Sequence, residues 1–237
     1  KRNITRIKGD VKSKLNESTA VVTKDGQTMY FTRNNILNNK RGYDQDTKLK
    51  IYRAYLKDGK WTDVEELPFN GDSFSTAHPV LSKDEKLLYF ASDRPGGYGN
   101  SDLWRIAIHD NGTFGGPENL GPAINTEARE TFPFITDADE LYFSSDGRIG
   151  LGGLDIYGVK TYADGSYGEV QNIGAPVNSK ADDFAYYIDP LTKQGFFSSN
   201  REGGQGNDDI YRFVETRALQ LECLQDLIVK VIDSKTS

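Results

Sequence analysis

The sequence contains few of the residues that carry common catalytic and metal-binding chemistry. Among 237 residues there is one cysteine, Cys223, and there are two histidines, His78 and His109. A lone cysteine excludes a disulfide within the chain, and the two histidines do not have the spacing of zinc ligands. No Gly-x-Ser-x-Gly motif marks a nucleophile elbow. We therefore predict no catalytic residue, no metal site and no cofactor, and a protein that is not an enzyme.

Positive charge and long apolar runs are also scarce. The formal net charge is −6 and the pI is about 5.1, so we expect no nucleic-acid partner, because little cationic surface is available to neutralise phosphates. The longest strongly apolar stretch, residues 227–232, is far shorter than the roughly 20 residues of a membrane-spanning helix. The abundant residues are glycine, tyrosine and phenylalanine, at 24, 13 and 12 copies, which favour short strands joined by tight turns.

One sequence pattern recurs along the chain and predicts its architecture. The pattern occurs at 88–104, 141–157 and 195–211, with a weaker copy at 29–52. It consists of an aromatic pair, a Ser, a glycine-rich loop, an Asp and a second pair that is apolar and aromatic. Tyr89 and Tyr142 are 53 positions apart, and Tyr142 and Phe196 are 54 apart. A tandem period of this length indicates a structural unit that packs against its own copies.

Each unit is predicted to contain four strands. In the second unit these cover 78–82, 86–92, 102–109 and 114–121. Asp-Gly pairs such as Asp58-Gly59 separate the third and fourth strands, and such pairs favour hairpins because glycine tolerates a positive φ. Tandem four-stranded units are typical of propeller blades. The predicted fold is therefore all-β, a β-propeller with four visible repeats.

The two ends of the chain complete this prediction. The last repeat stops after its third strand at 209–214, whereas residues 3–7 occupy the place of a fourth strand before the first repeat. We expect the N-terminal strand to complete the last blade and close the ring, with further blades before Lys1 left open. The propeller then covers 1–215, and 216–237 is a linker or the start of a following β-sandwich. A short helix over 216–224 is the alternative for this segment.

The glycine-rich loops are predicted to be structural turns. A phosphate cradle needs a helix after the loop, and the same loop recurs in successive units. The aspartates that follow can accept backbone N–H bonds from the turn, which we favour over cation binding. The first unit departs from the pattern, with Lys50 in place of the Asp. The predicted structural loop residues are Asp102, Asp155, Asp209, Gly97, Gly153 and Gly204.

Three arginines recur beside these loops: Arg94, Arg148 and Arg201. We favour a role in packing the loop or pairing with a neighbouring blade, and the alternative is a ring of guanidinium groups that faces an acidic partner or a sugar. His78 precedes Pro79 at a first strand and is expected to approach the ring centre as a structural histidine. Under the alternative of a guanidinium ring, the three arginines are the candidate partner-facing residues.

The run at 88–104, together with Glu118-Asn119-Leu120-Gly121-Pro122-Ala123-Ile124-Asn125-Thr126, resembles the TolB-type, WD-like propeller repeat of OmpA-family envelope proteins. The type that it resembles most is the PorE-like component of the Por (type nine) secretion and gliding machinery. The resemblance covers roughly residues 14–215. It implies a periplasmic, outer-membrane-associated protein that contacts peptidoglycan only through a domain outside this sequence.

These observations predict a non-catalytic binding or scaffold propeller of the bacterial cell envelope. Its partner is expected to be a protein of the outer membrane or of the secretion complex, because loops on a closed ring are rigid and lose little entropy on binding. The alternative is a carbohydrate-binding or carbohydrate-active propeller, since carboxylates are plentiful and a glycosidase pair is not identified by sequence alone.

Overall fold

The computed structural model describes residues 6–14, 16–36 and 47–222. This part of the chain contains strands and no helix, and so no helix long and apolar enough to cross a membrane. The strands are β1 (Glu17–Val22), β2 (Thr28–Ile36), β3 (Thr47–Lys57), β4 (Lys60–Glu66), β5 (Thr76–Leu81), β6 (Leu87–Ser92), β7 (Asp102–Ala107), β8 (Glu118–Asn119), β9 (Glu130–Ile135), β10 (Glu140–Ser145), β11 (Asp155–Lys160), β12 (Gln171–Asn172), β13 (Asp183–Ile188), β14 (Gln194–Ser199) and β15 (Asp209–Val214).

The strands form antiparallel sheets in the order of the chain, one sheet for each sequence repeat. The first three sheets are β1-β2-β3-β4, β5-β6-β7-β8 and β9-β10-β11-β12, and the described residues of the fourth repeat form β13-β14-β15. The first strands of all four sheets surround a common central cavity. The predicted all-β propeller with four blades is confirmed.

Successive blades pack face to face because the alternation of side chains in each strand produces two apolar faces. In the second blade, Phe90 and Ile106 point toward the first blade and are fully buried against Ile51 and Leu67. On the opposite face, Leu103 packs with Phe143 of the third blade. Burial of each such side chain contributes about 1.5–3 kcal/mol. A blade therefore depends on both of its neighbours.

The fourth strand of the second blade is shorter than predicted. β8 covers 118–119 within the predicted strand at 114–121, and Phe114 is joined to Ile108 by an isolated bridge. The hairpin that precedes β4 has the predicted turn, in which Asp58 and Gly59 have φ values of 49° and 71°. Two successive positive φ values give the twist that matches paired strands.

The N-terminal segment packs on the first blade. Most of the predicted closing strand, residues 3–5, lies outside the described residues, and Arg6 and Ile7 form no strand. Trp61 of β4 donates from its backbone to Lys8 O at 2.9 Å and accepts from Asp10 N at 2.8 Å. Val11 then covers the apolar face of the first blade. Ring closure by the N-terminal strand stays a prediction.

The segment after the last repeat contains no helix between residues 216 and 222. Leu219 and Leu221 pack beside Tyr186 between the third and fourth blades, and Gln171 Nε2 donates to Gln220 O at 2.8 Å. The first seven residues of the alternative helix at 216–224 are therefore irregular. The rest of the C-terminal segment, 223–237, lies outside the described residues.

The loop aspartates accept the backbone bonds that the sequence pattern predicts. Asp102 is buried, and its carboxylate accepts from Tyr98 N at 2.6 Å, Gly99 N at 3.0 Å and Asn119 Nδ2 at 2.7 Å. Asp155 and Asp209 each accept two N–H groups of their own loops in the same way. The aspartates therefore hold each glycine-rich loop against its third strand.

The glycine set predicted for these loops combines two different positions. A Cβ added at Gly97, Gly150 or Gly204 would lie 2.7, 1.8 or 2.0 Å from Oδ2 of the loop aspartate. Gly153 is not equivalent, because a Cβ there would instead lie 2.2 Å from Asp182 Oδ1. Gly153 is thus also a closely packed loop position, but Gly150 is the residue equivalent to Gly97 and Gly204. The two positions were confused because the third loop contains glycine at both.

We predict that Asp102→Ala lowers the free energy of unfolding by about 2–4 kcal/mol, because it leaves three donors around a buried site without their acceptor. The fourth-blade equivalent, Asp209→Ala, is the matched control, and its partly exposed loop can bind water instead. We expect that control to lose less than about 1 kcal/mol. Chemical denaturation measures both values, and equal losses would show that burial does not determine the strength of this contact.

Candidate functional site

The inner strands of the blades surround the candidate site, a cavity of about 270 Å³ at the centre of the ring. Each of the four inner strands contributes to its wall, and one representative from each is Thr19, His78, Phe132 and Ala185. None of the described residues that line the cavity carries a carboxylate, an amine or a guanidinium group. The wall is therefore mainly apolar and aromatic.

A backbone irregularity at one position directs these side chains inward. The pairing of β5, β9 and β13 with the second strands shifts register at His78, Phe132 and Ala185, whose φ values are 58°, 49° and 54°. A non-glycine residue in this region costs on the order of 1 kcal/mol or more. β-bulges re-aim side chains, and the same bulge in three blades directs residues toward one cavity.

The aromatic side chains at the cavity form two groups of ring contacts. In the first, the ring centroids of His78 and Phe132 are 3.9 Å apart, and those of Phe132 and the adjacent Phe184 are 5.0 Å apart. In the second, the centroids of Phe134 and Tyr187 are 5.1 Å apart. Such rings offer large apolar faces with little rotational freedom.

His78 provides the main polar contact of the cavity. Its Nδ1 lies 3.1 Å from Thr19 Oγ1, and its backbone N donates to Thr32 Oγ1 at 2.9 Å. The residue is half-buried, with its ring among the inner strands. This burial lowers the pKa of His78 to about 4, so the imidazole is neutral at pH 7. The predicted position of His78 near the ring centre is confirmed.

Arg94 does not face a partner. It is 8% exposed, and its guanidinium donates to Phe69 O at 3.2 Å and Thr76 Oγ1 at 3.1 Å. The same group lies 4.8 Å from the centroid of the Phe90 ring. Burial lowers the pKa of Arg94 to about 10, which leaves it charged at neutral pH. Arg94 therefore hydrogen-bonds to the linker between the first and second blades.

Arg148 and Arg201 make the same kind of contact one and two blades further along. Arg148 donates to Ile124 O at 2.8 Å, and Arg201 donates to Val177 O at 2.6 Å and to Asp183 at 2.5 Å. We therefore replace the candidate partner-facing role of the three arginines with an inter-blade role. Their recurrence reflects the repeated junction between blades.

Sequence reasoning missed a set of asparagines at these junctions. Asn125 Oδ1 accepts from Leu103 N at 2.8 Å, and its Nδ2 donates to Leu103 O at 3.0 Å. Asn178 makes the same pair of bonds with Ile156, and Asn70 makes it with Ile51. The 53-residue spacing of Asn125 and Asn178 was visible in the repeat, but their partners lie on the preceding blade.

Antiparallel four-stranded blades around a central cavity define the chain as a β-propeller. It is similar to a structure described as TolB from Agrobacterium tumefaciens, with a TM-score of 0.53 and 18% identity over 81% of this chain and 57% of that chain. It is also similar to prolyl oligopeptidase B from Galerina marginata, with a TM-score of 0.50 and 16% identity over 84% of this chain and 26% of that chain.

A third similar structure is the α-L-arabinofuranosidase from Lactobacillus brevis, with a TM-score of 0.49 and 11% identity over 80% of this chain and 70% of that chain. No family model and no curated protein matches the sequence. The chain spans just over half of the TolB structure and about a quarter of the oligopeptidase. At these identities the comparisons support the TolB-type propeller fold alone.

We predict that the free energy of unfolding falls between pH 6.5 and pH 4 because of His78. The folded-state pKa of about 4 lies below the unfolded value of 6.5, so within this window the unfolded chain binds more protons. The contribution is fully present above pH 6.5, and about 2 kcal/mol is lost by pH 4.5.

Urea unfolding at pH 7 and pH 4.5 tests this assignment with His78→Asn, because asparagine tolerates a positive φ. We expect the variant to lose less stability than the wild type on acidification. The exposed His109, replaced in the same way by His109→Asn, is the control and keeps the wild-type dependence. An identical pH dependence in His78→Asn and the wild type would contradict the role of His78.

Proposed function

We propose that this propeller is a non-catalytic binding module of a bacterial cell-envelope protein and that its central cavity receives an apolar or aromatic side chain of a protein partner. The observation that supports this most is the uncharged, aromatic wall around His78, Phe132 and Tyr187. An apolar group that enters such a cavity gains about 25 cal/mol per Å² of apolar surface removed from water.

The rigidity of the wall supports the same proposal. Each wall residue belongs to an inner strand that is hydrogen-bonded within its own blade and packed against a neighbouring blade. A preformed site loses little conformational entropy when a ligand binds. Hot spots of protein interfaces are centred on buried aromatic anchors in well-packed pockets, and this cavity has the dimensions and chemistry for such an anchor.

Hydrolysis of glycans is less favoured by this site. Glycosidases use two carboxylates about 5–10 Å apart on either side of the scissile bond, and none of the described residues of the cavity wall is Asp or Glu. The single imidazole, His78, is neutral at pH 7 and bonded to Thr19. We therefore retain the carbohydrate-active alternative only as an outcome of the experiment.

The resemblance of the repeat at 88–104 and 118–126 to OmpA-family envelope proteins supplies the cellular context of this proposal. The module would lie in the periplasm and hold a protein of the outer membrane or of the type nine secretion machinery. Contact with peptidoglycan would belong to a domain outside this sequence. The net charge of −6 is consistent with a protein partner, because it disfavours nucleic acid.

A pair of matched alanines allows the cavity to be tested. Ala20 is an exposed residue at the cavity wall, and Ala163 is an exposed residue of an outer turn. Ala20→Arg places a long cation against the apolar wall, whereas Ala163→Arg adds the same charge far from the cavity. Each chain, immobilised, is incubated with envelope extract of the parent bacterium, and captured proteins are identified by mass spectrometry.

We predict capture of an outer-membrane or secretion-complex protein by the wild type and by Ala163→Arg, with at least tenfold less captured by Ala20→Arg. Equal capture by Ala20→Arg, or capture of no envelope protein by the wild type, would contradict the proposal. A glycan array and a hydrolysis screen are run in parallel, and turnover of a glycan that Ala20→Arg abolishes would favour the carbohydrate-active alternative.

A further inference from the structure

The outer face of the fourth blade, on the side away from the third, carries exposed apolar side chains beside the exposed Arg212. We call it the open face and define it by Phe196, Ile210 and Val214. These side chains are 43%, 77% and 57% exposed, respectively. Within the part of the chain that the structure describes, β15 is the edge strand of this sheet. Exposed apolar side chains beside such an edge favour binding of another polypeptide.

The other three blades bury the positions that the open face exposes. The tyrosines equivalent to Phe196 are 3–4% exposed, and the aliphatic residues equivalent to Ile210 are 0% exposed. The repeat therefore specifies these positions as contact positions. The equivalents are Tyr30, Tyr89 and Tyr142 for Phe196, and Ile51, Leu103 and Ile156 for Ile210.

A short linker covers this face at each of the three complete junctions. At the second junction, Leu120 N donates to Leu103 O at 3.1 Å, and Asn125 bonds both Leu103 N and Leu103 O. Ile124 packs beside Leu103 in the same apolar cluster. The linker thus supplies two apolar side chains and an asparagine that satisfies one peptide unit of the third strand.

Ile210 has no asparagine of this kind among the described residues. The N-terminal segment of this chain can be aligned with the linkers. Ser13 donates to the Glu17 carboxylate four residues later, as Thr126 donates to Glu130, so Ser13 corresponds to Thr126. Lys12 therefore stands where Asn125 stands in the second junction. A lysine side chain has no acceptor and cannot bind the Ile210 N–H, so ring closure by this segment would leave that peptide unit without the amide contact of the other junctions.

The loop glycine of the fourth blade, Gly206, also indicates that a linker can lie on the open face. A Cβ added at Gly99 or Gly152 would lie 2.4 Å from Ala128 O or 2.1 Å from Ala181 O, atoms of the linker to the next blade. Gly206 occupies the equivalent loop position in the fourth blade, where the nearest atom to an added Cβ is Asp208 O of its own loop, at 3.2 Å. The loop thus retains the space that an incoming linker requires.

We propose that the open face binds a linker-type segment of a separate polypeptide, with the pattern Leu/Ile-Gly-x-x-Ile/Val-Asn. The first apolar residue would pack on Phe196 and Ile210, and its N–H would donate to Ile210 O. The asparagine would bond the Ile210 N–H and C=O. Main-chain bonds along a strand edge would give affinity, and the asparagine would give specificity, as in other cases of strand addition.

The probe is a synthetic, capped peptide with the sequence of residues 118–126, Glu-Asn-Leu-Gly-Pro-Ala-Ile-Asn-Thr, labelled for fluorescence anisotropy and titrated with the full chain. We expect saturable binding by the wild type and at least tenfold weaker binding when the peptide carries Asn125→Ala. Ile210→Asp in the chain should abolish binding. Ile149→Asp is the matched control, since Ile149 is 99% exposed in a loop.

Folding and alternative occupants are tested with the same proteins. Ile210 is exposed, so Ile210→Asp should keep the wild-type melting temperature. Ala20→Arg, which blocks the central cavity, should bind the peptide normally, which separates this site from the proposed function. Absence of peptide binding would overturn the proposal, as would binding that Ile210→Asp leaves intact. Concentration-dependent self-association that Ile210→Asp abolishes would assign the face to a second copy instead.

Discussion

The propeller depends on satisfying the backbone of each third strand where the fourth strand does not reach. β8 and β12 are two residues long, so Leu103 and Ile156 lie beyond the end of the outer strand. Their buried N–H and C=O groups would cost a few kcal/mol if unpaired. Asn125 and Asn178 bond both groups with one amide side chain, and in doing so they join each blade to the linker of the next.

This junction explains why charged side chains occur inside the protein. Arg94, Arg148 and Arg201 donate to carbonyl groups of the same linkers and lie over aromatic rings of their own blades. The buried guanidinium of Arg94 is tolerated because its Nε and Nη2 are bonded and its face is covered by a ring. The linkers are thus held by an amide on one side and a cation on the other, which fixes the angle between blades.

The central cavity is a consequence of that fixed arrangement. Because each blade is held by its neighbours, the inner strands can retain His78, Phe132 and Ala185 in a left-handed conformation that an isolated strand would relax. The resulting wall is uncharged and aromatic, and it lies at the one place where every blade contributes. Binding at this centre and binding at the open face are separate properties, since one uses the inner strands and the other uses β14 and β15 of the fourth blade.

Much of the fold could be predicted from the sequence because each repeat contains its own turn chemistry. Asp58-Gly59 forms the expected hairpin turn, and Asp102 and Asp155 hold their loops as predicted, since these contacts join residues a few positions apart. Roles that depend on another blade could not be assigned in this way. The asparagines were overlooked, and two roles were left open for the arginines, because the linker groups that they contact lie more than 20 residues away.

The sequence by itself determined the repeat, the strand-turn pattern and hence the propeller class, because local hydrogen bonds and the period-two alternation of side chains act within one blade. The tertiary structure alone decided which residues meet between blades, which three bulged residues point into the cavity, and which apolar face is left exposed on the fourth blade. The physical reason is that these contacts arise only when separate sheets are stacked at a fixed angle around a common axis.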